Sequence, residues 1–281
     1  MPELPEVEIV CRGLAEIFSQ NTGSNEQAQI EKLKLLRADL RFTIPKNLPQ
    51  AVAEAFITGV RRRAKYILID TTQGIILSHL GMTGSWRMAG SRIEKLGPHD
   101  HVLLDLSDGR RLIFRDPRRF GLLDFIKLGA ERSHKRLRHL GPEPLEPEGF
   151  NSSYLFKSSR KRKVAIKTFV MNQETVVGVG NIYASEALFR AKINPSKIAS
   201  KMTEPEAERI VDSIAEVLKE AINAGGSSIS DYRQASGSEG DFQNAHRVYD
   251  REGEPCPNCR AKIRSKVLGG RSTYWCPKCQ K

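Results

Sequence analysis

The residues best placed to do chemistry stand at the two ends of the chain. Pro2 follows the initiator methionine, with Glu3 beside it and Glu6 one helical turn further on. Removal of Met1 would leave the secondary amine of Pro2 as the first group of the chain. An α-amino group has a pKa of about 7.7 to 8.0, so an appreciable fraction is neutral near physiological pH, unlike an ordinary lysine. Such an amine can attack an aldehydic sugar carbon and form an iminium, the Schiff-base form of covalent catalysis. A carboxyl group next to it, as at Glu3, can shuttle protons. On spacing alone, Pro2 reads as the start of a helix, and Glu3 and Glu6 read as acids that complement a helix N-terminus.

At the other end, Cys256-Pro-Asn-Cys259 and Cys276-Pro-Lys-Cys279 form two C-x-x-C pairs separated by 16 residues. That spacing suits a tetrahedral four-thiolate zinc site, in which each knuckle supplies two sulfurs. Four protein ligands leave no open coordination position, so the ion is expected to be structural, one per chain. Two disulfides are the competing reading, disfavoured in a reducing compartment. Cys11 stands apart among Val7, Val10, Leu14, Ile17 and Phe18, whose three- and four-residue spacing marks the buried stripe of a helix.

The chain has 281 residues with 39% hydrophobic content, enough for two or three ordinary cores, and a formal net charge of +12. Basic surfaces gain affinity for polyanions by releasing counterions from phosphates, so nucleic acid or an anionic membrane would satisfy the charge. Half of it lies from Arg247 to Lys281, where nine Lys/Arg face three Asp/Glu. A zinc-stapled hairpin offering Arg264 and Arg271 to a phosphate backbone explains both charge and cysteines. No run of about 18 apolar residues exists to span a bilayer, and the N-terminus lacks the pattern of a signal peptide. The expected location is the cytoplasm, without membrane attachment.

These residues must be held by regular elements. Pro5 is a favoured first helical position, and a helix is expected to run from it to about Phe18. From about 33 to 126 the pattern reads as strands, at Tyr66–Ile69, Ile75–Leu77, His101–Leu106 and Leu112–Phe114, separated by turns such as Asp108-Gly109. Together they suggest a mainly antiparallel sandwich. The Pro/Gly/Glu-rich stretch from Gly141 to Gly149 is the best linker candidate. Beyond it the pattern is helical, most clearly from the N-cap Thr203, with Glu206 at the capping-box position, to a stop at Gly225-Gly226. Residues 227–245, rich in Ser, Gly and charge, read as a loop.

Six ordered motifs carry a resemblance over nearly the whole chain. They are Pro2-Glu3-Leu4-Pro5-Glu6-Val7-Glu8, Arg62-Arg63-Ala64-Lys65-Tyr66, His79-Leu80-Gly81-Met82-Thr83-Gly84, Asp116-Pro117-Arg118-Arg119-Phe120-Gly121, Gly178-Val179-Gly180-Asn181-Ile182-Tyr183-Ala184-Ser185-Glu186 and the C-x-x-C pairs. With these the sequence resembles the formamidopyrimidine-DNA glycosylase family. The resemblance implies an α+β multidomain protein. Its parts would be an N-terminal helix with an antiparallel β-sandwich over 1–130, a linker over 131–150, a helix-two-turn-helix domain over 151–246 and a four-cysteine zinc hairpin over 247–281. The segment 227–245 would be a lesion-capping loop. Leu4 resembles this family rather than the related endonuclease VIII enzymes, which prefer oxidised pyrimidines and usually have Gly there.

The resemblance also implies roles. Pro2 would be the nucleophile, Glu3 the proton shuttle, and Glu6 would orient the site through hydrogen bonds. Lys65 and Arg271 would act on the sugar-phosphate of the damaged nucleotide, and His99, Arg118, Lys163 and Asn181 would bind DNA. A target base must be flipped out of the duplex before its sugar can be attacked, and the void left behind must be filled. Met82, Arg118 and Phe120 match the void-filling residues; without the family, Met82 and Phe120 would read as core. Arg61, Arg62 and Arg63 read as a solvated charged face. Asp241 stands where many relatives carry Tyr, and an acid near DNA should weaken loop closure or change which lesion is held.

The implied activity is excision of oxidised purines such as 8-oxoguanine and formamidopyrimidines from duplex DNA, followed by strand cleavage, by a protein acting as a monomer. Two other readings stand beside it. One is the same chemistry on oxidised pyrimidines, against which Leu4 and the long 227–245 loop argue. The other is a non-catalytic DNA-binding module, which would apply if Met1 were retained.

Overall fold

The computed structural model describes residues 1–19, 27–227 and 242–281. The chain divides into two compact units. The first comprises Met1–Arg138 and takes in 225–227; the second comprises His139–Ala224 and 242–281.

In the first unit, α1 (Leu4–Ser19) buries Val7, Val10, Cys11, Leu14, Ile17 and Phe18 along one stripe. Burial pushes the Cys11 thiol up to about 12, so it behaves as a small apolar side chain. The strands β1 (Ile30–Leu35), β6 (Asp100–Leu106), β7 (Arg111–Arg115) and β5 (Ser85–Met88) form one antiparallel sheet in the order β1-β6-β7-β5. The strands β2 (Ile57–Arg63), β3 (Tyr66–Thr71), β4 (Gly74–His79) and β8 (Leu122–Lys127) form a second, in the order β2-β3-β4-β8. A short α2 (Leu48–Val52) lies between β1 and β2. One core joins both sheets and α1, with Trp86, Leu104 and Phe114 from the first sheet and Ile67, Ile69 and Ile76 from the second. Every strand expected from the pattern is present. Strand β2 was hidden because its charged end is not a solvated face. Arg61 bridges Asp70 and Glu131 at 2.7 and 2.6 Å. Arg62 has a side chain only 9% exposed and pairs with Glu8 of α1 at 3.1 Å.

Strand register decides what meets at one end of this sandwich. His79, at the end of β4, pairs with Tyr66 on one side and Leu122 on the other. Ser85, at the start of β5, pairs with Arg115 at the end of β7. The connections 80–84 and 116–121 therefore cross between the sheets side by side. The β2–β3 turn, Ala64-Lys65, lies at the same end because Tyr66 is opposite His79.

In the second unit, α3 (Ser152–Ser159), α4 (Ile166–Val170), α5 (Asn181–Arg190) and α6 (Glu204–Asn223) precede a hairpin of β9 (Arg264–Leu268) and β10 (Arg271–Trp275). Helix α6 opens with the expected capping box between Thr203 and Glu206 and buries Ile210, Ile214, Val217, Leu218 and Ile222. It closes before Gly225, whose φ of 78° is the left-handed conformation that glycine accepts without steric cost. No helix among the described residues is long and apolar enough to cross a membrane. Asp241 and most of the expected capping loop, 228–241, lie outside the described residues.

Candidate functional site

In the first unit, Pro2, Glu3 and Glu6 are all buried ahead of or within the first turn of α1. Glu6 is fixed by two donors: the Glu3 N–H reaches Oε2 at 2.8 Å and the Ser227 N–H reaches Oε1 at 2.9 Å. A Cβ on Gly226 would come within 3.2 Å of the same carboxylate. Glu6 therefore ties the N-terminal arm to the residues that follow α6, a role that spacing alone could not separate from helix-dipole complementation.

With Met1 present the terminal amine belongs to Met1, and the Pro2 nitrogen is an amide. Burial holds that amine below the ordinary α-amino value; Glu3 and Glu6 oppose the shift, while Lys65 and Arg118 add to it. The N-terminus thus lies within electrostatic reach of two carboxylates from its own motif and of two cations, Lys65 and Arg118, from motifs far apart in sequence. A less basic amine is neutral over more of the physiological range.

Lys65 is buried, 6% exposed, in a two-residue turn whose first member, Ala64, has φ 55°. A residue with a Cβ in that region costs about 1 kcal/mol or more, so the tight turn is held by the pairing on either side. His79 lies beside Tyr66, ring centroids 4.9 Å apart. Its Nδ1 accepts the Gly81 N–H at 2.9 Å, and burial, together with Lys65, Arg41 and Arg136, lowers its pKa to about 4. It is therefore neutral near pH 7, with its proton on Nε2. The sequence reading assigned it no role, because neutrality and tautomer depend on neighbours from other strands.

Met82, Arg118 and Phe120 occupy the two side-by-side crossover loops. Met82 and Phe120 are 37% and 43% exposed, so neither belongs to the core, and the guanidinium of Arg118 sits 4.8 Å over the Phe120 ring. Gly81 has φ 62°, and a Cβ there would lie 2.3 Å from the Phe120 carbonyl carbon, so the loops touch backbone to backbone. Asp116, fully buried, accepts from Thr83 Oγ1 at 2.5 Å and from the Gly121 N–H at 2.7 Å. His99 is half-buried, and its carbonyl accepts the Asp116 N–H at 3.0 Å.

In the second unit, Asn181 starts α5 directly after the Gly178-Val179-Gly180 turn. Gly178 has φ 79° and donates to Gln173 Oε1 at 2.8 Å. Lys167, only 1% exposed, donates to Asn181 Oδ1 at 2.6 Å and to Ser272 O and Thr273 Oγ1 at 2.9 Å each. With its oxygen occupied, Asn181 presents its amide nitrogen as a donor. Lys167 is thus a residue that sequence reading missed, since a lysine in Ala-Ile-Lys-Thr carries no sign of burial. Lys163 is exposed between α3 and α4, and Arg271 is exposed at the start of β10 with Arg264 at the far end of β9. Arg271 and Arg162 also line a cleft of about 420 Å³ between the hairpin and α4. Glu186, buried in α5, accepts the N–H groups of Arg247, Val248 and Tyr249 at 2.8–3.0 Å and so anchors the chain leading into the cysteine module.

The sulfurs of Cys256, Cys259, Cys276 and Cys279 lie within 4.8 Å of one another. Cys256 and Cys279 are 3.9 Å apart, and Cys259 and Cys276 are 3.4 Å apart. Zn–S bonds of about 2.3 Å in a tetrahedron put neighbouring sulfurs about 3.8 Å apart, so the four fit one structural zinc ion.

Comparison with known proteins gives a consistent picture. The formamidopyrimidine-DNA glycosylase N-terminal domain matches residues 1–123, its H2TH domain matches 140–233, and the zinc finger found in FPG and IleRS matches 253–281. A formamidopyrimidine-DNA glycosylase from Bdellovibrio bacteriovorus is 50% identical over 281 residues, covering all of both chains. The crystal structure of the MutM (Fpg) protein from Thermus thermophilus superposes with a TM-score of 0.86 at 39% identity, covering 99% of this chain and 98% of that one. The Lactococcus lactis Fpg in complex with abasic-site DNA gives 0.87 at 33% identity, covering 99% of each. This chain belongs to the formamidopyrimidine-DNA glycosylase family.

Proposed function

We propose that the protein is a base-excision-repair glycosylase and abasic-site lyase that removes oxidised purines, 8-oxoguanine and formamidopyrimidines, from duplex DNA. The observation that carries this reading is a buried Pro2 at an N-terminus whose amine, that of Met1 here, lies within electrostatic reach of Glu3, Glu6, Lys65 and Arg118.

After Met1 is removed, the Pro2 nitrogen attacks C1′ of the damaged nucleotide. The base leaves with the bonding electron pair of the glycosidic bond and takes up the proton released from the Pro2 nitrogen. Glu3 protonates the opening sugar ring oxygen, which gives the iminium at C1′. The iminium acidifies C2′; loss of that proton expels the 3′ phosphate, and a second elimination expels the 5′ phosphate. Lys65, with the neutral His79 Nε2–H nearby, holds the sugar-phosphate of the flipped nucleotide. Asn181 Nδ2, Arg271, Lys163 and His99 each bind the DNA backbone, contacts that fix register without reading sequence. Met82 and Phe120 fill the void as apolar wedges, and Arg118 hydrogen-bonds the orphaned base. The zinc ion stabilises the hairpin that presents Arg271.

The test is a Pro2→Gly variant assayed on a duplex with 8-oxoguanine opposite cytosine. Binding should hold within a few-fold while strand cleavage falls about a hundredfold, equivalent to about 2.7 kcal/mol in the barrier. Cleavage at the unaltered rate would remove Pro2 from the mechanism.

A further inference from the structure

The two void-filling loops are joined by polar contacts that serve no surface purpose. Asp116 has no exposure, and its two carboxylate oxygens are taken by one donor from each loop. Oδ1 accepts from Thr83 in 80–84 at 2.5 Å, and Oδ2 accepts from the Gly121 N–H in its own loop at 2.7 Å. The Thr83 hydroxyl is used twice, because it also accepts the backbone N–H of Arg118 at 3.1 Å. Asp116 is itself fixed at the backbone: its carbonyl lies 2.9 Å from His101 Nε2, and its N–H donates to His99 O at 3.0 Å. The closed path Asp116–Thr83–Arg118 therefore crosses from one loop to the other and back. Two contacts restrict it further. Gly81 leaves no room for a Cβ against Phe120, and Arg119 sits at φ 56°, a conformation that a non-glycine residue keeps only when its surroundings impose it.

We propose that Asp116 and Thr83 are positioning residues that couple Met82 to Arg118, so that the loops enter DNA as one body, and that this coupling sets discrimination at the orphaned base. The proposal rests on the reading of Met82, Arg118 and Phe120 as void-filling residues. A guanidinium only donates hydrogen bonds. Cytosine offers it two adjacent acceptors, N3 and O2, whereas adenine offers N1 beside an amino donor. A preference for cytosine would require the guanidinium to be held in place, since a mobile one could settle for the single acceptor of adenine. The hydroxyl that fixes the Arg118 backbone is itself fixed by a buried carboxylate that never touches DNA. Its loss would leave buried donors and acceptors unpaired at the base of the reading residue.

The test uses the zinc-loaded full-length chain with Met1 removed and compares Thr83→Val, a near-isosteric loss of the hydroxyl, with Thr83→Ser, which keeps it. Two reactions are measured. One is excision of 8-oxoguanine opposite cytosine and opposite adenine; the other is cleavage of a preformed abasic site in a single-stranded oligonucleotide, where no orphaned base exists. Thr83→Val should lower the cytosine-to-adenine ratio of kcat/KM about tenfold, leave single-strand cleavage within twofold, and be rescued by Thr83→Ser. Asp116→Asn should act in the same direction. A ratio unchanged within twofold in Thr83→Val, or an equal loss in both reactions, would overturn the proposal. Failure of the parent protein to cleave a preformed abasic site in either a duplex or a single strand would instead remove the lyase reading itself, so the two failures are separable.

Discussion

Imine formation requires a neutral amine, so the surroundings of the N-terminus set the pH range in which the proposed chemistry runs. In the chain that retains Met1, burial lowers the basicity of the terminal amine more than Glu3 and Glu6 restore it, and Pro2 beside it is itself buried. The rising limb of a pH profile for imine trapping should therefore lie below the ordinary α-amino range of about 7.7 to 8.0; a limb at or above that range would contradict the assignment. His79 gives a second prediction. Its folded pKa of about 4 lies below the ordinary 6.5. The unfolded chain thus binds the proton more readily, and the stability that neutral His79 contributes is complete above pH 6.5 and is lost as pH falls towards 4. Titration of its ring resonances by NMR should place the midpoint near 4. The four cysteines were legible in the sequence because residue type and spacing state their chemistry, whereas for Pro2, Glu3 and Lys65 spacing alone stated none and the proposed roles rest on the family resemblance. His79, Asp116 and Lys167 were not, because what defines each is a partner on a distant strand or helix, as Lys167 is defined by Asn181 and Thr273.

Among the elements, α1, α6 and the interior strands follow from periodicity and capping, and the Thr203–Glu206 box was readable residue by residue. The edge strand β2 was not, since Arg61 and Arg62 interrupt its apolar pattern and find their partners in Asp70, Glu131 and Glu8. The juxtaposition of 80–84 with 116–121 depends on strand register, which no local pattern encodes. It makes Gly81 the most constrained position of the site. Gly81→Ala combines a Cβ placed 2.3 Å from backbone with a positive φ. It should cost about 2–4 kcal/mol, at the severe end of single substitutions, and lower the melting temperature by several degrees. An unchanged melting curve would show that the loops separate freely. At the start of α6, Thr203→Ala should cost about 1 kcal/mol through loss of the capping box, read by denaturant titration.

For the whole molecule, a net charge of +12 makes DNA affinity a strong function of salt. Arg271→Ala should weaken binding to all duplexes alike and reduce the slope of log K against log salt by about 1, the signature of one lost phosphate contact. An unchanged slope would place Arg271 away from the backbone. Cys276→Ser should release zinc and abolish duplex binding, because the hairpin carrying Arg271 gains much of its folding free energy from the metal; zinc loss with undiminished affinity would show the hairpin to be dispensable. Composition and the C-x-x-C spacing made the polyanionic partner and the metal module readable from sequence. That 225–227 group with the first compact unit emerged only from three-dimensional contacts. The central claim is the covalent role of Pro2, and its most direct test is borohydride trapping on a duplex carrying one 8-oxoguanine opposite cytosine, followed by peptide mapping of the reduced adduct. The adduct is predicted on the Pro2 nitrogen of a chain lacking Met1; an adduct on Lys65, or none from protein with a verified free Pro2, would contradict the account.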